Sequence, residues 1–213
     1  MTRVKPHEFP KSLSFFTVFD NGRYQLGDYQ YLQNVIDYYA GAYSRTGVAA
    51  ENGWSAATIL STKWANNEYC YENETPLACE IRLNNPSLIL IHFGTNDWTE
   101  TYETNMRQII EFSISEGIVP VLITKANRID QTNERNAILR QLAAEYHIPV
   151  WDFDVIAATL PDRGLAQDEA HLSVGNDFDY TDSQNISQGY EAFNLTGLLF
   201  LDAFLREVVY ADK

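Results

Sequence analysis

The sequence predicts an α/β fold: a mostly parallel sheet with helices packed on both faces. Three observations predict it. Short, continuous apolar runs such as Leu88-Ile89-Leu90-Ile91 and Val121-Leu122-Ile123 read as strands buried on both sides. Amphipathic stretches with apolar residues three and four apart lie between those runs. Strands that alternate with helices of this length imply βαβ units, and right-handed crossovers make the sheet parallel.

Taken in order, residues 26–39 place Tyr29, Leu32, Val35, Ile36 and Tyr39 at helical spacing. Residues 58–64 read as a short helix, and a polar, turn-like loop follows. Residues 87–93 are the first clear strand, ending at Gly94. Residues 102–116 read as a helix stopped by Gly117. Residues 118–124 are a second buried strand, with Pro120 confined to its start because proline cannot donate to a ladder. Residues 133–146 are a helix, 148–153 a third strand, and 188–210 a long helix rich in Phe and Leu. Ligands of such sheets bind beyond the carboxyl ends of the strands. That rule draws attention to Gly94-Thr95-Asn96-Asp97 and to Lys125-Ala126-Asn127-Arg128.

The chain has 213 residues, 15 Lys plus Arg and 29 Asp plus Glu, for a net charge of −14. So acidic a chain is repelled by a phosphate backbone, which argues against nucleic acid as a partner. The same long-range field disfavours anionic substrates, although salt weakens it. The apolar share of 45% is too high for a disordered chain. No run reaches the length a membrane span needs. A single domain over 1–213 is expected, with its core at about 15–210 and a loop insertion around 64–79.

Met1-Thr-Arg-Val-Lys-Pro-His7 has no apolar region of the kind a secretory signal carries. Cys70 and Cys79 sit in a polar segment containing Pro76, without a neighbouring histidine that would suggest zinc. A local disulfide is favoured over two free thiols, and a bridge points to an oxidising compartment. The expected location is therefore extracellular or at the cell surface, with a cytoplasmic one as the alternative.

Three groups of residues could carry chemistry. In Asp168-Glu169-Ala170-His171 a carboxylate three residues before a histidine can meet Nδ1, fix the tautomer and leave Nε2 as a general base. In Gly94-Thr95-Asn96-Asp97 a carboxamide at the mouth of a parallel sheet can donate to a developing oxyanion. In Asn52-Gly53-Trp54-Ser55 a glycine before a short helix can present a bare backbone N–H for the same purpose. Each alone also fits a blander role: a surface pair, a strand-ending turn, an ordinary loop glycine. His92, inside an apolar run, reads as a core histidine, and His147 as an exposed one. Asn176, Asp177, Asp179 and Asp182 concentrate oxygen ligands but lack the EF-hand glycine and terminal Glu, so a solvated loop is expected. There is no G-x-G-x-x-G, which argues against a nucleotide-binding domain.

Together these groups resemble the SGNH (GDSL-like) hydrolases in order and spacing, over roughly residues 15–205. Flanking segments resemble a bacterial, exported subgroup, among them Phe19-Asp20-Asn21-Gly22, Pro76-Leu77-Ala78-Cys79 and Gly189-Tyr190-Glu191. The resemblance implies a three-layer α/β/α flavodoxin-like fold and an esterase, lipase or carbohydrate deacetylase. It implies His171 as general base and then acid, Asp168 as its orienting partner, and Gly53 and Asn96 as the oxyanion hole. Trp54, Asp97 and Trp98 are the expected substrate contacts, with a small-molecule or carbohydrate ester as substrate. No metal or organic cofactor is implied.

One family block is not found. The family opens with a first strand ending in Gly-Asp-Ser, whose serine is the nucleophile. The corresponding position here, near Val4-Lys5-Pro6-His7, has no serine, and the strand itself is expected to be missing or altered. Ser12 and Ser14 are the nearest serines. Three readings follow: the block lies upstream of this chain, the chain is a binding module on the same fold, or Ser12 or Ser14 serves from an altered loop. Without a first strand, a second copy of the chain could supply one by strand addition, giving a homo-oligomer.

Overall fold

The computed structural model describes residues 6–7, 19, 22–43, 47–128, 132–175 and 178–210. Its main sheet has four parallel strands: β1 (Pro6–His7), β3 (Leu88–Ile91), β4 (Val119–Ile123) and β5 (Val150–Trp151), in the order β1-β3-β4-β5. The short strands β2 (Tyr24–Gln25) and β6 (Phe178–Asp179) form a second parallel pair. Eight α-helices are named among the described residues: α1 (Gln33–Tyr38), α2 (Ala56–Ile59), α3 (Pro76–Asn84), α4 (Thr99–Ser115), α5 (Glu134–Tyr146), α6 (Phe153–Ala157), α7 (Ser183–Ile186) and α8 (Gly189–Phe204).

Strand alternation sorts the core into two layers. Leu88, Val121, Ile123 and Trp151 face α1 and α8, packing with Val35, Phe193 and Leu198. Ile89, Ile91 and Leu122 face the opposite way and pack with Ile59, Met106, Ile109 and Leu139 from α2, α4 and α5. A period of two in the strands against 3.6 in the helices produces this three-layer α/β/α arrangement. Pro120 is the second residue of β4. Leu122, two residues on, donates to Pro149 O at 3.1 Å on the β5 side. Pro120 faces that same side, but β5 begins only opposite Leu122, so its missing N–H leaves no gap in the ladder.

The structure sharpens three expectations. A first strand is present but altered: only Pro6 and His7 are strand, paired in parallel with Leu88 and Ile89. The insertion at 64–79 is not all loop. Thr75 caps α3 by accepting from Ala78 N at 3.2 Å, Pro76 opens the helix, and Cys79 is fully buried on it. The Thr-Pro pair was the visible signal, masked by the polar residues before it. The long helix predicted over 188–210 is α-helical over Gly189–Phe204 and widens into a π turn over Leu205–Val209.

Cys70 and Cys79 are bridged, with their Cα atoms 5.2 Å apart. Arg82 on α3 pairs with Glu74 at 2.7 Å and lies 3.8 Å over the Tyr71 ring, holding the same loop from the outside. No helix among the described residues is long and apolar enough to cross a membrane.

Candidate active site

The turn that leaves β3 is built around Asp97. Its Oδ2 accepts from Gly94 N at 2.9 Å and its Oδ1 from Ala56 N at 2.8 Å. One carboxylate thus joins the β3 exit to the first residue of α2. Asp97 is only 6% exposed and does not line the cavity described below. Burial raises its pKa, opposed by the two amides and by Lys125 and Arg135. Gly94 takes φ +131°, a backbone that L side chains rarely adopt, and a Cβ there would sit 3.3 Å from the Tyr102 hydroxyl.

That staple brings the two oxyanion candidates together. Asn96 is exposed at the turn and its Nδ2 donates to Trp54 O at 3.5 Å. Gly53, the residue before Trp54, has φ +78° with open space where a Cβ would go, so backbone conformation and not crowding calls for glycine. Ser55 then starts α2 with a capping box, its hydroxyl accepting from Thr58 N.

The histidine arrives on a loop of its own. His171 Nδ1 lies 2.6 Å from Asp168 Oδ2, and Asp168 Oδ1 accepts from the amides of His171 and Ala170. Hydrogen bonds from the His171 amide, its ring and the Ala170 amide hold the Asp168 carboxyl down at about 2. The loop closes on itself: Ala166 N donates to His171 O at 2.8 Å and Ser173 N to Gly164 O at 2.8 Å. Gly164 lies so close to Gly189, at the start of α8, that a Cβ on Gly189 would come within 1.9 Å of Gly164 O. Two backbones touching at this point fix the loop to α8. Arg163 fixes it to the segment after β4 and to α6, donating to Ala126 O at 3.0 Å and pairing with Asp154.

His171, Asn96, Gly53 and Trp54 all line one cavity of about 960 Å³ at the carboxyl edge of the sheet. Its inner walls are Ile89 and Ile91 on one side of β3, and Phe193 and Tyr190 on the other. His92 also lines it, stacked on Phe193 at 5.2 Å, and burial followed by the Lys125 charge holds its pKa well below the usual value. Trp98 is 77% exposed, two residues beyond Asn96, and is not part of the lining. His147 is exposed in a left-handed helix cap. No serine or cysteine lines the cavity among the described residues; the hydroxyls there belong to Thr95 and Tyr190. Ser12 and Ser14 lie outside the described residues, as do Asn176 and Asp177. The one cluster of potential metal ligands among the described residues is Cys70, Glu74 and Cys79, whose sulfurs form the disulfide.

Sequence reasoning missed Asp97 as a staple, because its partners are backbone amides with no signature in sequence. It placed Lys125 at the end of a strand but gave it no role; the structure puts it in the same cavity as His171.

No family model matches the chain, and no curated protein matches it. Solved structures do. A GDSL-like lipase from Bacteroides thetaiotaomicron superimposes with a TM-score of 0.52 at 11% identity, covering 97% of this chain and 89% of that one. A protein of Bacteroides fragilis described as an acylhydrolase gives 0.54 at 14% identity, covering 96% and 88%. A catalytic His-to-Ala variant of an acetylxylan esterase from Geobacillus stearothermophilus gives 0.51 at 16% identity, covering 97% and 96%. The chain therefore has the SGNH-hydrolase fold.

Proposed function

We propose that this chain is an SGNH-type ester hydrolase acting by acyl transfer. The observation that carries the proposal is the convergence of the His171–Asp168 pair with Asn96 and Gly53 on one cavity at the carboxyl edge of the sheet. In this reading His171 Nε2 takes the proton of a serine hydroxyl as the serine attacks the ester carbonyl. Asp168 holds the ring through Nδ1 and stabilises the imidazolium. The Gly53 N–H and the Asn96 carboxamide receive the oxyanion. His171 then returns its proton to the departing alcohol, and a water repeats the sequence to release the acid. Asp97 acts as a positioning residue, keeping the two oxyanion donors in register. The nucleophile is assigned to a serine outside the described residues, with Ser12 and Ser14 the candidates in this chain. β1 supports that assignment, because it runs parallel to β3 and so points toward the same edge of the sheet as Gly94.

A carbohydrate ester suits the site. Trp54 offers a ring in the cavity wall and Trp98 an exposed one beside the turn. One structural neighbour is an acetylxylan esterase. The disulfide favours an oxidising compartment and hence an exported protein.

The test is turnover of p-nitrophenyl acetate by the intact chain, with fluorophosphonate labelling and the variants Ser12→Ala, Ser14→Ala and His171→Ala. Turnover that is lost in His171→Ala and in one serine variant is the expected result. Neither turnover nor labelling would leave the second reading, a binding module on the same fold. That reading draws on the lack of a serine among the described cavity residues.

A further inference from the structure

Lys125 stands just beyond the carboxyl end of β4 and lines the same cavity as His171 and Asn96. It follows Val121 and Ile123, which face the α8 layer. His92 leaves β3 toward that layer as well. The main chain of Lys125 is clamped by Asn136, which accepts from its N at 2.8 Å and donates to its O at 2.9 Å. Its ammonium, by contrast, has no hydrogen bond and no ion pair among the described residues. The Asp97 carboxylate acts on it at a distance, but both Asp97 oxygens already accept backbone amides. Burial pushes the Lys125 pKa down to about 8, with Asp97 pulling the other way.

A second cation stands behind the same turn. Arg135 on α5 donates from Nη2 to Asp97 O at 2.8 Å and to Thr99 Oγ1 at 3.2 Å, while its Nε is buried without a partner among the described residues. The carboxylates in the cavity wall lie elsewhere: Glu51 precedes α2, and Glu80 on α3 is taken up by the amides of Val48 and Ala49. The Lys125 ammonium is half-buried in the cavity wall, where partial desolvation favours a close anionic contact. Two cations, Lys125 and Arg135, thus flank the turn at Gly94 against the single Asp97 carboxylate, although the chain as a whole is strongly negative. At about 0.15 M salt the repulsive field of distant charges is screened beyond roughly 8 Å, whereas a direct contact in the cavity is not.

We propose that Lys125 is an anion-recognising residue, and that the ligand carries a carboxylate close to its ester, as an acylated sugar acid or the half-ester of a dicarboxylic acid does. This deepens the hydrolase reading by naming its substrate class. The carboxylate lies against the Lys125 ammonium and supplies a close counter-ion, while the ester carbonyl lies toward Asn96 and Gly53. The charge then selects and orients the substrate without entering the chemical step.

Binding tests this independently of turnover. Titration calorimetry on the intact chain compares D-glucuronate with D-glucuronamide, and monomethyl succinate with its amide. Expected is a preference of about 10-fold or more for the acid in at least one pair, lost in Lys125→Met and kept in Lys125→Arg. Equal binding of acid and amide in both pairs overturns the proposal, and so does a preference that survives in Lys125→Met. The comparison within the unmodified chain decides even where the Met variant unfolds. Hydrolysis of p-nitrophenyl acetate is followed alongside: its absence, with acid selectivity present, removes the esterase reading and leaves the carboxylate site in place.

Discussion

At the scale of single residues, the site depends on one short hydrogen bond. Asp168 accepts from the imidazole and from two amides of its own turn, so it is committed as a carboxylate across the whole working pH range. Asp168→Asn keeps the shape of the loop but offers the ring a donor where it needs an acceptor. If the ester hydrolase reading holds, kcat falls by about 10³–10⁴-fold with KM little changed. Steady-state kinetics on p-nitrophenyl acetate checks this. A KM rise with kcat preserved would instead make Asp168 part of substrate binding. The pair was legible in the sequence because its two members are three residues apart. The staple made by Asp97 was not, since Ala56 is forty-one positions away and contributes only an amide.

At the scale of elements, two fastenings hold the loops that carry the site. The first is Asp154, at the start of α6, which accepts from Arg128, Arg140, Arg163 and Asn133. Burial alone would raise its carboxyl pKa; the hydrogen bonds from Arg140, Asn133 and Arg128 outweigh that and hold it at about 2. Because the folded value lies below the unfolded one, its stabilisation is complete above about pH 4 and is lost as pH falls toward 2. Urea unfolding across that window should show a shallower pH slope in Asp154→Asn than in the unmodified chain. At pH 7 the variant should lose about 2 kcal/mol, less than the roughly 3–5 of a fully buried pair, because the guanidiniums reach solvent. An unchanged slope would mean that the cluster is not coupled to folding. The second fastening is the Cys70–Cys79 bridge, which anchors α3, whose Glu80 in turn holds the amides of Val48 and Ala49 ahead of Gly53. Cys70→Ser with Cys79→Ser should cost about 2–3 kcal/mol, read from the denaturant midpoint. Stability independent of reducing agent would contradict the bridge.

At the scale of the whole molecule, a net charge of −14 repels itself in the compact state. Raising NaCl from 10 to 150 mM shortens the screening length from about 30 to about 8 Å. The thermal midpoint should rise by roughly 2–4 °C, equivalent to about 1 kcal/mol for a chain of this size. A fall would mean that the attractive ion pairs outweigh the net repulsion. The same balance bears on ligands. Far from the surface the field turns anions away, and only a cation already inside the cavity can reverse that preference.

The layers of the fold were legible because periodicity is local. Leu88-Ile89-Leu90-Ile91 announces a strand buried on both faces whatever packs against it, and the spacing in α4 announces an amphipathic helix. The His171–Asp168 pair and the glycine at the β3 exit could be read for the same reason: chemistry and partner lie within one turn. Other features depend on what the chain brings alongside. Pro6 and His7 become a strand only because Leu88 and Ile89 offer them an edge. Gly189 is required only because Gly164 presses against it. Lys125, ordinary as a letter after a strand, acquires meaning only when folding half-buries it next to His92 in the cavity wall, with no hydrogen bond or ion pair to its ammonium among the described residues. The sequence by itself therefore determined the elements and their chemistry-bearing ends, through short-range sterics and hydrophobic period. Only the tertiary structure decided which of those ends share one cavity and which charges inside it are left uncompensated, because desolvation depends on neighbours that are remote along the chain.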